Sequence, residues 1–133
     1  MDLVLDINCD YRVYNGGPVE DSNLYFIHTL PELIPDSIHV YKNVYWGGNY
    51  DAVKMYLEQG LIKKNEIRFF LGYSGWTNDQ LEVEIKENTW TLTKNTYKNI
   101  FAINNAEGWR KKLLEMGGKY RLWANSPEDP NLN

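Results

Sequence analysis

Cysteine is nearly missing from this sequence, because Cys9 is the only one among 133 residues. One thiol excludes an intrachain disulfide and any zinc site built from several cysteines, and it is typical of a reducing cytoplasm. Histidine is scarce as well. His28 and His39 lie on predicted strands or strand ends without a partnered carboxylate, so a catalytic triad is not indicated. The sequence predicts no metal and no cofactor.

Long apolar runs are also absent. No stretch approaches the ~18 to 20 apolar residues of a membrane helix, and the N-terminus lacks the basic and apolar regions of a secretory signal. The proportions of hydrophobic and charged residues, 43% and 24%, are ordinary for a globular protein. We therefore expect a globular, cytoplasmic protein.

Positive charge is in deficit overall and concentrated locally. The formal net charge of -4 opposes non-specific attraction to nucleic acid, because Lys and Arg supply most of that binding. Residues 98–123 nevertheless carry six basic and two acidic side chains. The candidate basic face consists of Arg110, Lys111, Lys112, Lys119 and Arg121. Direct nucleic-acid binding through this face is one alternative function, and a solvated helix face is the simpler interpretation.

Aromatic residues are abundant, at 14% of the chain. This surplus favours a sheet core with bulky side chains or a groove lined by rings. The five tryptophans could also stack on single-stranded nucleic acid, although core packing explains most of them without a ligand. They are Trp46, Trp76, Trp90, Trp109 and Trp123.

Hydrophobic patterns, turn residues and helix caps predict strands and helices mixed within one domain, residues 1–123, followed by a polar, flexible tail at 124–133. The predicted strands are Leu24–Thr29, Ile38–Val40, Val44–Trp46, Ile67–Leu71 and Thr89–Thr93. The predicted helices run from Asn49 to Gly60, from Thr77 to about Glu87, and from Asn104 or Asn105 to Met116.

The densest motif is Gly72-Tyr73-Ser74-Gly75-Trp76, which joins a predicted strand to a predicted helix. Its glycines permit a tight turn, and its aromatic rings are expected to pack over the sheet. Thr77 and Gln80 form a capping box, in which each side chain satisfies a free backbone donor of the other residue. Ser74 does not fit a nucleophile elbow, because Trp76 stands where that motif needs glycine.

Glu84 has the strongest claim on chemistry, since it lies beside an apolar stripe that the helix forms with Leu81 and Ile85. If such a carboxylate is partly buried, it needs hydrogen-bond donors; otherwise its pKa rises and it can act as a ligand or proton-transfer group. An enzyme that uses Glu84 in an aromatic-lined pocket is therefore a second alternative. A structural carboxylate bonded to backbone amides or a tyrosine is the simpler interpretation.

Gly47-Gly48-Asn49 precedes a predicted helix, whose free N-terminal amides would attract phosphate or carboxylate. The segment has no Walker lysine and no dinucleotide-binding spacing, so a plain turn is the simpler interpretation. The candidate contacts to a ligand or partner are therefore Tyr73, Trp76, Gln80, Glu84, Gly47 and Gly48.

Three groups of residues, collinear along the chain, resemble the YqgE/AlgH family of bacterial proteins. The first is Gly16-Gly17-Pro18-Val19, the second runs from Gly72 to Trp90 and includes Gln80-Leu81-Glu82, and the third is Trp109-Arg110 with Met116-Gly117. The resemblance implies an α+β fold, with a mixed β-sheet partly curled into a small barrel and flanked by about three helices. It also implies a non-enzymatic regulatory or binding module with a role in transcriptional regulation and an unknown protein or small-molecule partner.

Members of that family usually begin with an additional region of strands and a short helix, so this chain resembles their C-terminal two thirds. Without that region a sheet edge is expected to be uncovered. An uncovered edge presents unpaired backbone groups to another strand. We therefore predict self-association of the chain through strands.

Overall fold

The computed structural model describes residues 11–94, 101 and 105–125, with the backbone alone at 105–107. The chain divides into two compact units, residues 1–94 and 95–133. The single domain predicted over 1–123 stays a prediction, and most of the predicted tail, from residue 126, lies outside the described residues. Within the described part, no helix has the length and apolar character needed to cross a bilayer.

A five-stranded sheet forms the centre of the first unit. Its strands are β1 (Val13–Asn15), β2 (Val19–His28), β3 (Ile38–Tyr41), β4 (Val44–Trp46) and β5 (Ile67–Tyr73). Their spatial order is β1-β5-β2-β4-β3, with β1 parallel to β5 and the other pairs antiparallel. The predicted mixed α+β fold is confirmed, and the sheet remains open, with β1 and β3 at the edges of its described part. Self-association through one of these edges stays a prediction.

One face of the sheet carries the core. Side chains alternate between the two faces along a strand, so Phe26 of β2 and Phe69 of β5, which are register partners, point to the same side. The helix α1 (Tyr50–Glu58) buries Val53 and Leu57, which lie one turn apart. The core cluster consists of Phe26, Ile34, Val53, Leu57, Ile62, Ile67 and Phe69. Full burial of one such side chain stabilises a fold by about 2 kcal/mol, so the cluster holds α1 against the sheet.

Local signals explain α1 and the β3–β4 hairpin. The side chain of Asn49 accepts a hydrogen bond from the Ala52 amide at 3.0 Å and so caps the start of α1. Gly60 lies just past the end of that helix. The hairpin turns at Lys42, whose φ of 51° is in the left-handed region. The predictions of this helix and of these two strands are confirmed.

The predicted strand Thr89–Thr93 is wrong. After α2 (Asn78–Lys86) the backbone continues without regular structure through residue 94. The Thr89 amide donates to the Glu84 carbonyl at 3.0 Å, and the indole of Trp90 donates to the Glu84 carboxylate at 2.7 Å. The segment therefore returns to the helix that precedes it and does not join the sheet.

The helix α2 starts where it is predicted, but its capping box is only half formed. The hydroxyl of Thr77 accepts from the Gln80 amide at 3.2 Å, as expected. The Gln80 side chain does not return to the Thr77 amide, and its Nε2 instead donates to Glu84 at 3.0 Å. No residue of α2 is buried.

The second unit contains α3 (Asn105–Met116) and α4 (Tyr120–Ala124), which are joined through Gly117 and Gly118. The prediction of α3 is confirmed, and α4 brings the described helices to four, against the three expected. Phe101 is the described part of the apolar run before α3. The second unit is thus a helical hairpin in its described part.

Core packing does not explain most of the tryptophans, which corrects another expectation. The exposed fractions of Trp76, Trp90, Trp109 and Trp123 lie between 42% and 47%. Trp46 is half-buried at the end of β4. Four of the five tryptophans therefore lie largely at the surface of the described part.

Candidate functional site

Glu84 is the centre of a hydrogen-bonded group that we call the Glu84 cluster, made of Trp76, Gln80, Glu84 and Trp90. Its Oε2 accepts from the indole Nε1 of Trp90 at 2.7 Å and from the indole Nε1 of Trp76 at 3.0 Å. Its Oε1 accepts from Nε2 of Gln80 at 3.0 Å. The two indole rings meet edge to face, with centroids 5.4 Å apart. The cluster joins the turn before α2, the helix itself and the segment after it.

Three neutral donors favour the ionised form of Glu84. The indole of Trp90 makes the largest contribution to lowering the pKa of this carboxyl below its ordinary value. Burial opposes it with the second-largest effect, and Gln80 and Trp76 add to the lowering. Of the two outcomes that the sequence left open for Glu84, hydrogen-bond donors or a raised pKa, the structure shows the donors, which are indoles and a side-chain amide and not backbone amides or a tyrosine. The lowered pKa keeps Glu84 ionised at neutral pH, which disfavours a role as a general acid.

The pKa of Glu84 can be read from its indole partners. We expect the Nε1–H signals of Trp76 and Trp90 to move together in an acid titration followed by NMR, with a midpoint below 4.5, the ordinary value for this carboxyl. Protonation removes the charge that strengthens both hydrogen bonds. Glu84→Gln should abolish this joint movement and leave the indole signal of Trp46 unaffected. A midpoint above 4.5 would contradict the arrangement.

A second candidate surface is an open cleft of about 540 Å³ at the point where β4 ends, which we call the Gly47 cleft. The residues that line it are Leu24, Tyr25, Phe26, Trp46, Gly47, Gly48 and Tyr50. Two pairs of rings contribute. Tyr25 and Trp46 have centroids 5.5 Å apart, and Phe26 and Tyr50 have centroids 6.4 Å apart. The cleft has the volume of a small-ligand site, since such sites measure about 300 to 1,000 Å³.

Hydrogen bonds fix the glycine wall of this cleft. The Gly47 amide donates to the Phe26 carbonyl at 2.9 Å, and the Gly47 carbonyl accepts from Nε2 of His28 at 2.9 Å. The Asn49 amide donates to the Pro35 carbonyl at 2.8 Å, which holds the chain as it enters α1. The wall is therefore preorganised by contacts to β2 and to the loop before β3.

Tyr25 connects the cleft to its surroundings. Its ring contacts Tyr73 edge to face, with centroids 5.4 Å apart. Its hydroxyl donates to the carboxylate of Glu20, which raises the pKa of Tyr25. Tyr73 thus lies one ring away from the Gly47 cleft.

The structure divides the candidate residues predicted from the sequence between two places. Gly47 and Gly48 line the cleft, whereas Trp76, Gln80 and Glu84 form the cluster. Sequence reasoning missed Trp90 in the cluster. In the cleft it missed Leu24, Tyr25, Phe26, Trp46 and Tyr50. The alternation of Tyr25 and Phe26 along β2 was visible in the sequence, but the pairing that brings β4 beside them was not.

The candidate basic face lies on α3, α4 and the turn between them, and several of its cations are already engaged. Lys112 pairs with Glu115 at 3.7 Å, and Nη2 of Arg110 donates to Oδ1 of Asn125 at 3.2 Å. The ammonium of Lys119 lies 5.4 Å from the centroid of the Tyr120 ring. These contacts favour the interpretation as a solvated helix face over that of a phosphate-binding surface.

Metal binding receives no support from the described residues, among which no group of three or more His, Cys, Asp or Glu side chains could hold an ion. The chemistry of the two candidate surfaces is consequently that of rings, amides and one occupied carboxylate.

Comparison with known proteins places these features in a family. A sequence profile described as AlgH-like matches residues 1–121. A UPF0301 protein of Bacteroides fragilis is 42% identical over 126 residues, which cover 93% of this chain and 63% of that protein. A UPF0301 protein of Chlorobium limicola is 41% identical over 121 residues, which cover 91% of this chain and 65% of that protein. The chain thus spans somewhat less than two thirds of the length of these relatives.

A solved structure agrees with the fold. The solution structure of the AlgH protein from Pseudomonas aeruginosa matches with a TM-score of 0.62 at 21% identity, over 88% of this chain and 60% of that protein. Identity at this level bears on the fold alone, and it supports the mixed sheet with flanking helices. The profile match over nearly the whole sequence establishes the family: this chain belongs to the AlgH-like family.

Proposed function

We propose that this chain is a non-enzymatic binding module that holds a small ligand in the Gly47 cleft. The observation that carries the proposal is the cleft itself. It combines the volume of a small-ligand site with four aromatic rings and a glycine wall fixed by hydrogen bonds. A preorganised wall lowers the entropic cost of binding.

The state of Glu84 supports binding over catalysis. A catalytic carboxylate needs a free oxygen within reach of substrate and a pKa near the working pH. Glu84 accepts three hydrogen bonds, and its pKa is lowered. It does not line the cleft. Its role is to hold the exposed helix α2 between the indoles of Trp76 and Trp90.

We further propose that ligand binding serves regulation, including regulation of transcription, through a partner protein. Direct reading of DNA usually places a recognition helix in the major groove. The helix α4, with five residues, is too short for that role, and on the longer α3 two of the three cations of the basic face, Arg110 and Lys112, already contact Asn125 and Glu115. The net charge of -4 also disfavours an unaided approach to phosphate. The exposed apolar residues of α2, which include Leu81, Val83 and Ile85, offer a surface for a protein instead.

A fragment screen by NMR tests the ligand site. We expect compounds of about ten to fifteen heavy atoms to bind with dissociation constants near the millimolar range, about -4 kcal/mol. They should shift the amide signals of Gly47 and Gly48 and the indole signal of Trp46. Trp46→Leu should weaken these compounds about tenfold, because it removes one ring of the closest pair.

The matched control is Trp76→Leu, which removes a tryptophan of the same unit that does not line the cleft. Affinities should be unchanged in this variant. Hits that cluster away from Gly47, or that lose affinity equally in both variants, would count against a ligand site at the end of β4.

A further inference from the structure

We infer that the Gly47 cleft takes a weakly hydrated organic cation, a free small molecule of the quaternary ammonium class. This rests on the proposed function, because it names the ligand of the same site. The reasons lie in the rings of the cleft, in the charges around it and in its size.

The rings supply the attractive surface. Four of the seven lining residues are aromatic, and they form two pairs, Tyr25 with Trp46 on one face of β2 and Phe26 with Tyr50 on the other. The face of an aromatic ring is negative, so a cation within about 6 Å of it is attracted, and Trp is the strongest partner. Trp46 and Tyr25 are close enough, at 5.5 Å between centroids, to contact one bound group together. Aromatic rings in contact with a quaternary ammonium ion are a recurring mode of recognition, and here the Tyr25–Trp46 pair supplies them.

The charges around the cleft favour a cation over an anion. None of the seven lining residues carries a charge, so no Lys or Arg is available there to pair with phosphate or carboxylate. The carboxylate of Glu20 accepts from the hydroxyl of Tyr25, whereas the guanidinium of Arg68, on the same face of the sheet as Trp46, lies over the ring of Tyr14. Asp51 follows Tyr50 in the first turn of α1. A net charge of -4 adds a long-range attraction for cations.

The cost of removing water from a cation determines which class of cation suits the Gly47 cleft. A primary ammonium ion such as that of Lys is compact and strongly hydrated, and it loses its water at high cost against the faces of aromatic rings. A quaternary ammonium group has no N–H to satisfy and presents methyl groups to the rings. Apolar walls with negative faces therefore suit it better than they suit a primary amine, and a volume of about 540 Å³ leaves room for a substituent on the nitrogen.

The test compares choline with 3,3-dimethyl-1-butanol, its neutral isostere, on the whole chain by NMR titration. Choline should shift the Gly47 and Gly48 amides and the Trp46 indole, with an affinity about tenfold higher than that of the isostere. Trp46→Leu should abolish most of the difference between the two compounds. Trp46→Phe, which retains a ring and protects against loss of the fold, should give an intermediate ratio, and Trp76→Leu should leave the ratio unchanged.

Other outcomes distinguish failure of the cation assignment from failure of the ligand site itself. Equal binding of choline and the isostere would overturn the cation assignment and leave the ligand site standing. Fragments that bind at Gly47 while choline and tetramethylammonium do not would have the same meaning. Stronger binding to phosphatidylcholine vesicles than to free choline would overturn the free small molecule as the source. No binding at Gly47 by any compound would remove both proposals.

Discussion

Replacing Gly48 by alanine should lower the free energy of unfolding by about 3 kcal/mol, a large part of the 5 to 15 kcal/mol that a domain usually has. Two costs add. The φ of Gly48 is 114°, a conformation that side chains rarely adopt. A Cβ built there would also lie 2.6 Å from the Pro35 carbonyl oxygen and 2.8 Å from Cγ2 of Ile34. Ile34 is fully buried, so it cannot move aside cheaply.

Gly47→Ala is the matched control for Gly48→Ala. Gly47 also has a positive φ, 61°, but a Cβ built there meets no atom within 4 Å. The expected cost is therefore the left-handed conformation alone, about 1 kcal/mol. Urea unfolding measures both variants, and Gly48→Ala should shift the midpoint by about 1 M more than Gly47→Ala does. Equal midpoints would show that the wall next to Pro35 is looser than its contacts indicate.

Elements of the fold that depend on nearby residues could be predicted from the sequence. The caps at Asn49 and Thr77 each bond to an amide three residues later, so they are readable from short spacings. The β3–β4 hairpin needs two apolar runs and one tight turn. These features are also local, so the hairpin could be predicted, and the structure confirms both strands.

Elements that depend on distant or competing partners could not be predicted. The strand β2 begins at Val19, before the predicted Leu24, and the register with β5 shifts between these two residues. The polar residues in that interval give no strand pattern, and pairing with β5 decides their conformation. Trp90 lies in a segment whose alternating pattern indicated a strand. Its indole instead donates to the carboxylate of Glu84, six residues earlier, and this hydrogen bond keeps the segment beside α2 and out of the sheet.

The candidate site shows the same division. Gly47 and Gly48 could be chosen from their sequence, because two glycines before a helix cap are unusual. The rings of the cleft come from β2, β4 and α1, and they meet only because β4 ends at Trp46 beside Tyr25. Sheet order is a long-range property, so no local pattern reports it. The pKa of Glu84 was unpredictable for a related reason, since its direction depends on which donors reach the carboxylate.

Acid should destabilise the protein through His28, and the structure fixes the direction of the effect. His28 is fully buried. Its Nδ1 accepts from the Leu30 amide at 3.0 Å, so the ring hydrogen is on Nε2, which donates to the Gly47 carbonyl at 2.9 Å. Both nitrogens are satisfied in the neutral form. Burial lowers the pKa of His28 below its ordinary value of 6.5, and the bond to Gly47 offsets this only in part.

Because the pKa of His28 is lowered in the folded state, the unfolded chain takes up the proton at a higher pH than the folded chain as the pH falls. The stabilising contribution of neutral His28 is complete above pH 6.5, and it is lost as the pH falls below that value toward the pKa of the folded state. The slope approaches about 1.4 kcal/mol per pH unit while the folded ring stays neutral. Protonation of Nδ1 would also remove the acceptor of the Leu30 amide and leave that partly buried donor unpaired.

Urea unfolding between about pH 5.5 and 7.5 measures this slope above the range in which most carboxylates titrate. His28→Gln should be less stable than the natural chain at pH 7.5 and should show a nearly flat profile across the window, because the titrating ring is gone. His39→Gln is the control, since His39 lies exposed on the edge strand β3, and it should keep the slope. A slope that persists in His28→Gln would assign the acid sensitivity to another group. A flat profile in the natural chain would mean that its buried ring takes up a proton without cost, against the hydrogen bond from the Leu30 amide to Nδ1, which requires the neutral form.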